Sequence, residues 1–537
     1  MIGDRLRVTN SPIANVRGMA DVLPGEAHVH RRIMDVLVRT LESFGYKHID
    51  VPVIEYAELF FAKSGEDIIS KMYSFSFKNR HLCLRPEFTA SVGRAFVNHL
   101  QDQPLPLRLY YLGPAFRYEK PQRGRYRQFH QIGLELIGAP SPWADAEILR
   151  CACEGLERLG LFDYHIVIGH IGVVTDLLRA FELDRRAQGF LIQNLENLWK
   201  DGRGVEHVRA RLQEVYPSLD PAQTMTSPQP ADWSAFTASM SSAQADIEPG
   251  MLRRLTELGE EEVRRFLRDF LARMEIGIGL GCREPEEVVE RLVRKIRYRD
   301  MSEKLHRAVD LLSQLSRLAG NPAETLRNVE QLLHQYGLSL EPLGQLHRLL
   351  EAFDQYGLDL HKMTLNLGMG RGLQYYTGMI FEIYHSAIST ENQLCGGGRY
   401  DDLIQTLGGR QPVPACGFSY GLERLRLALN WSSEPVASHV LVIPVEEADR
   451  AAACQVAQSL RNLGLRVETD VRERGVKGNL QYADRSNIPF CVIIGGQERA
   501  TDTIVARDMR RQQEMVVPRA ELGAFARQIE ASMAERI

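Results

Sequence analysis

Cysteine is scarce. Eight cysteines in 537 residues, with no CxxC pair, exclude a disulfide-dense scaffold and a thiol-rich zinc site. Cys151 and Cys153 lie one residue apart in a helical pattern and point to different faces. No stretch approaches the roughly 18 apolar residues of a membrane-spanning helix. The opening MIGDRLRVTNSP is polar where a secretory leader would carry an apolar core. These absences imply a reducing cytoplasm and no membrane partner. An excess of one charge is missing too. The formal net charge is −4, from 65 Lys and Arg against 69 Asp and Glu, so the whole molecule is not a cationic nucleic-acid binder. A local basic face stays open. What the chain does have is length, enough for roughly three or four domains of ~150 residues.

Residues 26–44 repeat apolar positions at helical spacing, and Gly45 stops that helix. HIDVPVIE follows as a proline-containing β-segment of the kind found at an edge or interface. LPLRLYYLGPAFRYE and FHQIGLELIG read as two strands joined by the polar loop EKPQRGRYRQ. A helix is expected from Asp145 to Leu159, and a strand over 165–173. The centre is mostly helical in pattern, with a Ser-, Ala- and Pro-rich mobile segment near 217–249. After Lys362 the β-pattern returns: MTLNLGMG, YYTGMIFEIYHSA, then LCGGGRYDDLIQTLG as a glycine-rich turn, then PACGFSYGLERLRLAL as a strand running into a helix. From about Ala437, strands and helices alternate as a compact α/β domain with a mixed sheet.

Unusual polar groups converge in four of these segments. In CLRPEFTASVGR, Glu87 and Thr89 sit at a strand-to-helix transition, and read either as an N-cap neighbourhood or as a face for a small polar ligand. In FRYEKPQRGRYRQFHQIGLE, Arg117, Lys120, Arg123, Arg125 and Arg127 are interrupted only by Glu119, a pattern suited to polyphosphate as well as to a solvated hairpin. Gln131 and Glu135 are four apart and share one side of the following strand. GRGLQYYTG places Arg371, Tyr375 and Tyr376 at the entrance of the strand GMIFEIY. The glycines of CGGGRYDDL permit positive φ or close backbone approach, and fit neither a dinucleotide fingerprint nor a phosphate loop. Arg424, in GLERL, can reach a phosphate or pair with Glu423. Together these describe arginines for phosphate and carboxylates for an amine or imidazole, the chemistry of adenylation.

The ordered motifs resemble the histidyl-tRNA synthetases, which are class II aminoacyl-tRNA synthetases. VRGMADVLP and YKHIDVPVIEYAELF resemble the family's opening and motif 1. LRPEFT with FRYEKPQRGRYRQFHQIGLELIG resembles motif 2, RGLQYYTG and CGGGRYDDL the two histidine-specific motifs, and GFSYGLERL motif 3. The resemblance covers roughly 14–175 and 362–537 and implies an α/β (α+β) fold in three parts. A catalytic core with an antiparallel sheet takes 1–175 and 362–432. A largely helical insertion takes 176–361. A C-terminal mixed-sheet α/β anticodon-binding domain takes 437–537. It also implies ATP and Mg2+ as cofactors, histidine and tRNA(His) as partners, and a homodimer.

The resemblance further implies residue roles. Arg117 and Arg424 would hold the ATP phosphates. Glu119 would lie near adenine or the magnesium ion, and Arg125 in the loop reaching ATP and the acceptor end. Glu87 and Thr89 would bind the α-amino group. Gln131, Glu135 and Tyr376, with Tyr375 and Tyr400, would line the imidazole side. Arg371 would face the α-phosphate and carboxylate in place of a third metal, and no metal-ligating protein cluster is expected. Phe88 stands where a small residue is typical, Gln374 where an aspartate is usual, and the centre is longer than the family's usual insertion. Two other readings remain: a non-catalytic histidine-sensing paralogue regulating ATP phosphoribosyltransferase, and an enzyme adenylating another amino acid.

Overall fold

A computed structural model describes residues 13–61, 68–198, 204–215, 260–273, 285–370, 375–386, 393–433 and 437–534. Arg371, Gln374 and the 217–249 segment lie outside the described residues. Two compact units are present, one built around His30–Trp431 and the other around Ser432–Ile537. Among the described residues no helix is long and apolar enough to cross a membrane.

The strands of the first unit are β1 Lys47–His48, β2 Ile54–Tyr56, β3 Ser74–Phe77, β4 Arg80–Leu84, β5 Leu107–Phe116, β6 Gln128–Ile137, β7 Tyr164–His170, β8 Met363–Leu365, β9 Met379–His385, β10 Gln393–Arg399 and β11 Ala415–Gly421. Eight of them form one sheet in the order β1-β5-β6-β11-β10-β9-β7-β8. Its centre, β5 to β7, is antiparallel throughout. The β5–β6 hairpin is the longest feature, paired without a break from Leu107↔Ile137 to Phe116↔Gln128, with residues 117–127 as its loop.

Two expectations are corrected here. The glycine-rich run is not a turn but strand β10, paired on both edges. None of Gly396, Gly397 and Gly398 has positive φ. The glycines are needed because neighbouring strands approach closely. A Cβ on Gly397 would lie 2.1 Å from the Gly417 carbonyl oxygen, and one on Gly398 would lie 2.5 Å from that of Met379. The strand expected over 165–173 ends at His170, whose Nδ1 accepts from the Val173 amide at 3.1 Å and so caps a helix, Ile171–Arg179.

Behind the sheet, the helix Trp143–Arg158 carries Asp145, wholly buried and paired with Arg399 at 2.8 Å. The Arg399 carbonyl accepts from the Thr377 amide at 2.8 Å, and Asp401 accepts from Arg399 Nη1 at 2.8 Å. One buried ion pair therefore ties the helix layer to the segments leading into Tyr376 and Tyr400. Helices within 171–215 and 305–355 share an apolar core with β8 and β9, where Leu312, Val329 and Leu346 meet Leu365 and Ile380, while Val263, Leu267, Val289 and Val293 form a separate small cluster.

A separate three-stranded sheet has the order β2-β4-β3. Its register places Ile54, Tyr56, Phe75 and Phe77 on one face, between 40% and 58% exposed, while Glu55 and Cys83 on the other are buried. The second unit holds β12 Val440–Pro444, β13 Val467–Thr469, β14 Phe490–Ile494, β15 Thr503–Asp508 and β16 Gln513–Pro518 in the order β13-β12-β14-β15-β16. β12 pairs in parallel with β13 and β14, and the rest is antiparallel, which is the expected mixed sheet.

Candidate active site

A cleft of about 300 Å³ opens over β5, β6, β9, β10 and β11. Of the residues singled out from the sequence, Glu87, Thr89, Arg117, Glu119, Arg125, Gln131, Tyr375, Tyr376, Tyr400 and Arg424 all line it. Glu135 does not. It is 1% exposed and lies behind the wall, where Thr89 Oγ1 donates to its Oε1 at 2.7 Å and the Tyr400 hydroxyl donates to its Oε2. Burial pushes the Glu135 carboxyl up to about 8; the two hydroxyls pull the other way and the nearby Glu87 carboxyl adds to the rise.

Space for this carboxyl depends on glycine. A Cβ on Gly417 would sit 1.9 Å from Glu135 Oε2, and one on Gly133 would sit 2.4 Å from the Phe418 carbonyl oxygen and 2.6 Å from the Tyr111 hydroxyl. The Glu87 carboxylate turns to the backbone, accepting from the amides of Thr89 at 2.5 Å and Ala90 at 3.0 Å at the start of the helix Thr89–Ala95. Its pKa is raised by burial, with those two amides opposing. Gln131 donates from Nε2 to Ser419 Oγ at 3.0 Å, while its Oε1 is buried without a protein partner.

Phe88 fills its site by stacking on Tyr111, with centroids 4.3 Å apart and planes 4° off parallel. The buried Arg85 lies 3.9 Å over the Phe88 ring and donates to the carbonyls of Val51 and Pro114. The large residue is thus part of an aromatic–guanidinium stack that forms one wall. Tyr375 packs between Tyr376 and Tyr400, at 4.9 and 5.7 Å.

The other end of the cleft is cationic. Arg117 is oriented by a 2.9 Å bond from Nε to the Pro86 carbonyl and lies 5.4 Å from the Phe129 ring. Glu119 is ion-paired to Arg125, with Lys71 at 3.8 Å. Burial alone would raise the Glu119 carboxyl, but the Arg125 bond and the charges of Arg117 and Lys71 hold it below its usual value. Arg424 donates from Nη1 to the carbonyl oxygen of Gln393 at 2.9 Å. It does not take up Glu423, whose carboxylate accepts from the His130 amide at 2.9 and 3.1 Å and faces His130 Nδ1 at 3.0 Å. His130 is thereby a structural partner. Arg127 is structural as well, packed 3.8 Å over Tyr118 and bonded to the Arg17 carbonyl. Lys120 and Arg123 are exposed on the loop.

Sequence reasoning missed several lining residues: Lys71, Tyr111, Glu382, Gln393 and Ser419. Glu382 had a signal, a lone carboxylate within the apolar strand MIFEIYH. Gln393 had none, a single amide three residues before the first glycine of the run.

Residues 18–230 and 283–425 match the family model of histidyl-tRNA synthetase, and 439–529 match that of the anticodon-binding domain. The chain is 30% identical over 513 residues to the histidine–tRNA ligase of Methanocaldococcus jannaschii, covering 95% of this chain and 98% of that one. It is equally 30% identical, over 511 residues, to the ligase of Archaeoglobus fulgidus, with the same coverage. The long centre is therefore shared with these relatives, although 231–282 falls between the segments the family model matches. Among solved structures, histidyl-tRNA synthetase from S. aureus superposes with a TM-score of 0.60 at 23% identity, covering 96% of this chain and 99% of that one. The Nostoc enzyme gives 0.59 at 22% identity, covering 97% and 100%, and both attest the fold. On the extent of these matches and the ordered motifs within them, the chain belongs to the histidyl-tRNA synthetase family.

Proposed function

We propose that this chain is a histidine–tRNA ligase: it condenses histidine with ATP to histidyl-adenylate, releases pyrophosphate, and transfers the histidyl group to tRNA(His). The observation that carries this reading is the polarity of one cleft. At one end a buried carboxyl orients the hydroxyls of Thr89 and Tyr400 beside Tyr375 and Tyr376; at the other stand Arg117, Arg125 and Arg424. The first end suits a small cation-bearing ring, the second a triphosphate.

In this reading the histidine carboxylate attacks the α-phosphorus, and no side-chain nucleophile is needed. Arg117 and Arg424 hold the phosphates, with Arg371 proposed at the α-phosphate. Glu87 and Thr89 face the ammonium, Gln131 Oε1 supplies the unpartnered acceptor, and Tyr375, Tyr376 and Tyr400 enclose the imidazole. Glu135 acts by fixing the Thr89 and Tyr400 hydroxyls. Among the described residues no group of three or more His, Cys, Asp or Glu is placed to hold a metal. Glu119, Glu382 and Glu423 face the cleft, each engaged by a protein partner. We therefore propose that Mg2+ arrives with ATP, where it offsets the charge of the triphosphate.

The test is ATP–pyrophosphate exchange with each of the twenty amino acids in turn. Exchange with histidine alone is the expected result. Exchange with a different amino acid would make the chain a repurposed adenylating enzyme, and none with any would favour the regulatory paralogue.

We also propose three functional parts, 1–175 with 362–432, 176–361, and 437–537, acting in the cytoplasm as a homodimer. The dimer is supported by the exposed apolar face of Ile54, Tyr56, Phe75 and Phe77, a cluster that a monomer rarely leaves in water. Sedimentation equilibrium should return twice the chain mass, and Tyr56→Asp with Phe75→Asp should shift it toward the monomer. A monomeric wild type would end this idea.

A further inference from the structure

Strand β10 enters the sheet through an irregularity. Gln393 is paired with Tyr384 and Cys395 with Ile383, so the register shifts between them and Leu394 is the extra residue. Bulges of this kind re-aim side chains beside active sites. Here the Gln393 side chain is brought between two charged groups of the cleft. Its Nε2 donates to Glu382 Oε1 at 2.8 Å, and its Oε1 accepts from Arg424 Nη1 at 3.3 Å, while its backbone carbonyl accepts from the same Nη1 at 2.9 Å. Glu382 is held from behind by the Tyr384 hydroxyl. Glu382, Gln393 and Arg424 all line the cleft.

We propose that Gln393 is a positioning residue: its amide separates Arg424 from Glu382 and keeps the guanidinium directed toward a nucleotide triphosphate. The inference rests on the assignment of Arg424 to the ATP phosphates. An amide is suited to the task because it donates and accepts at once, satisfying a carboxylate on one side and a guanidinium on the other without net charge. A side chain lacking either function leaves Glu382 and Arg424 facing each other across the place the Gln393 amide held. A carboxylate and an arginine so placed close into a direct ion pair, among the strongest side-chain contacts. That pair would neutralise the arginine and draw it off the phosphates.

The test is calorimetric binding of MgATP and of histidine to the full chain, so that it does not depend on turnover. Gln393→Met keeps the length and loses both hydrogen bonds. It is expected to weaken MgATP about tenfold, the scale of one lost charge-assisted contact, with histidine affinity within twofold of wild type. Adding Glu382→Gln to Gln393→Met removes the competing carboxylate and should return most of the MgATP affinity, which a merely structural role for Gln393 would not do. MgATP binding unchanged in Gln393→Met, equal losses for both ligands, or no recovery in the double variant would each overturn the inference. A wild type that binds both ligands yet supports no exchange overturns the ligase reading and leaves the Gln393 comparison to be judged on MgATP binding. A wild type that does not bind MgATP overturns both.

Discussion

Arg117→Ala is expected to reduce histidine-dependent ATP–pyrophosphate exchange by about 10²–10³-fold, the usual cost of removing one preorganised donor from a transition state that gathers negative charge. The reason lies in how the arginine is held. It follows β5 directly, its Nε is spent on the Pro86 carbonyl, and that bond fixes the plane of the guanidinium against the cleft. Most of the loss should fall on kcat, because the charge being stabilised grows as the phosphorus becomes pentavalent. Arg117→Lys should recover little. An ammonium keeps the charge but cannot make the Pro86 contact and face two oxygens at once. If the alanine variant retained kcat and lost only affinity for ATP, Arg117 would be a ground-state binding residue and the assignment of its role would be wrong.

The second large effect concerns Glu135. Glu135→Ala removes the acceptor for both the Thr89 and Tyr400 hydroxyls and opens a hole behind the amino-acid end of the cleft. A rise in the KM for histidine of about 100-fold is expected, on the scale of leaving two buried hydroxyls without their acceptor, with the KM for ATP nearly unchanged. Glu135→Gln separates proton from shape. The folded-state carboxyl is pushed up to about 8 from an ordinary value of 4.5. Such a group favours the fold fully below the unfolded value, and that contribution is lost as pH rises through about 8. An amide of the same size does not titrate. The Tm of the unliganded wild type should therefore fall relative to Glu135→Gln as pH is raised from about 4 to about 9, a window spanning both values. Parallel curves for the two proteins would show that Glu135 stays ionised in the empty site.

Much of the site was legible because its parts are local. The β5–β6 hairpin, its loop, and the shared face of Gln131 and Glu135 follow from strand alternation around a polar, arginine-rich break. Ten of the candidate residues meet in one cleft. What could not be read was set by partners distant in sequence. LCGGGR carries turn residues, yet it is a strand because β9 and β11 pair with it on both sides, a fact absent from the segment itself. Glu135 looked like a wall residue, and its retreat behind Gly417 depends on a glycine some 280 positions away. Phe88 looked like an irregularity until Arg85 and Tyr111 were seen to enclose it. Gln393 depends on a bulge, and bulges leave no mark in alternation.

The uninterrupted pairing of β5 with β6 makes the hairpin a ruler. Arg117 stands at its loop end, and Gln131 and Glu135 lie at fixed graduations of ~3.4 Å per residue along the second strand. The spacing between the phosphate end and the amino-acid end is thus a count of residues, and the alternation of faces makes that count readable only in steps of two. Inserting a single residue into 128–137 would turn the side chains beyond it to the opposite face. Insertions at the tip, near Gln122 and Arg123, would leave every graduation in place. Evolution can therefore lengthen the reach of this loop without disturbing the gauge beneath it, whereas the gauge itself can change only by substitution.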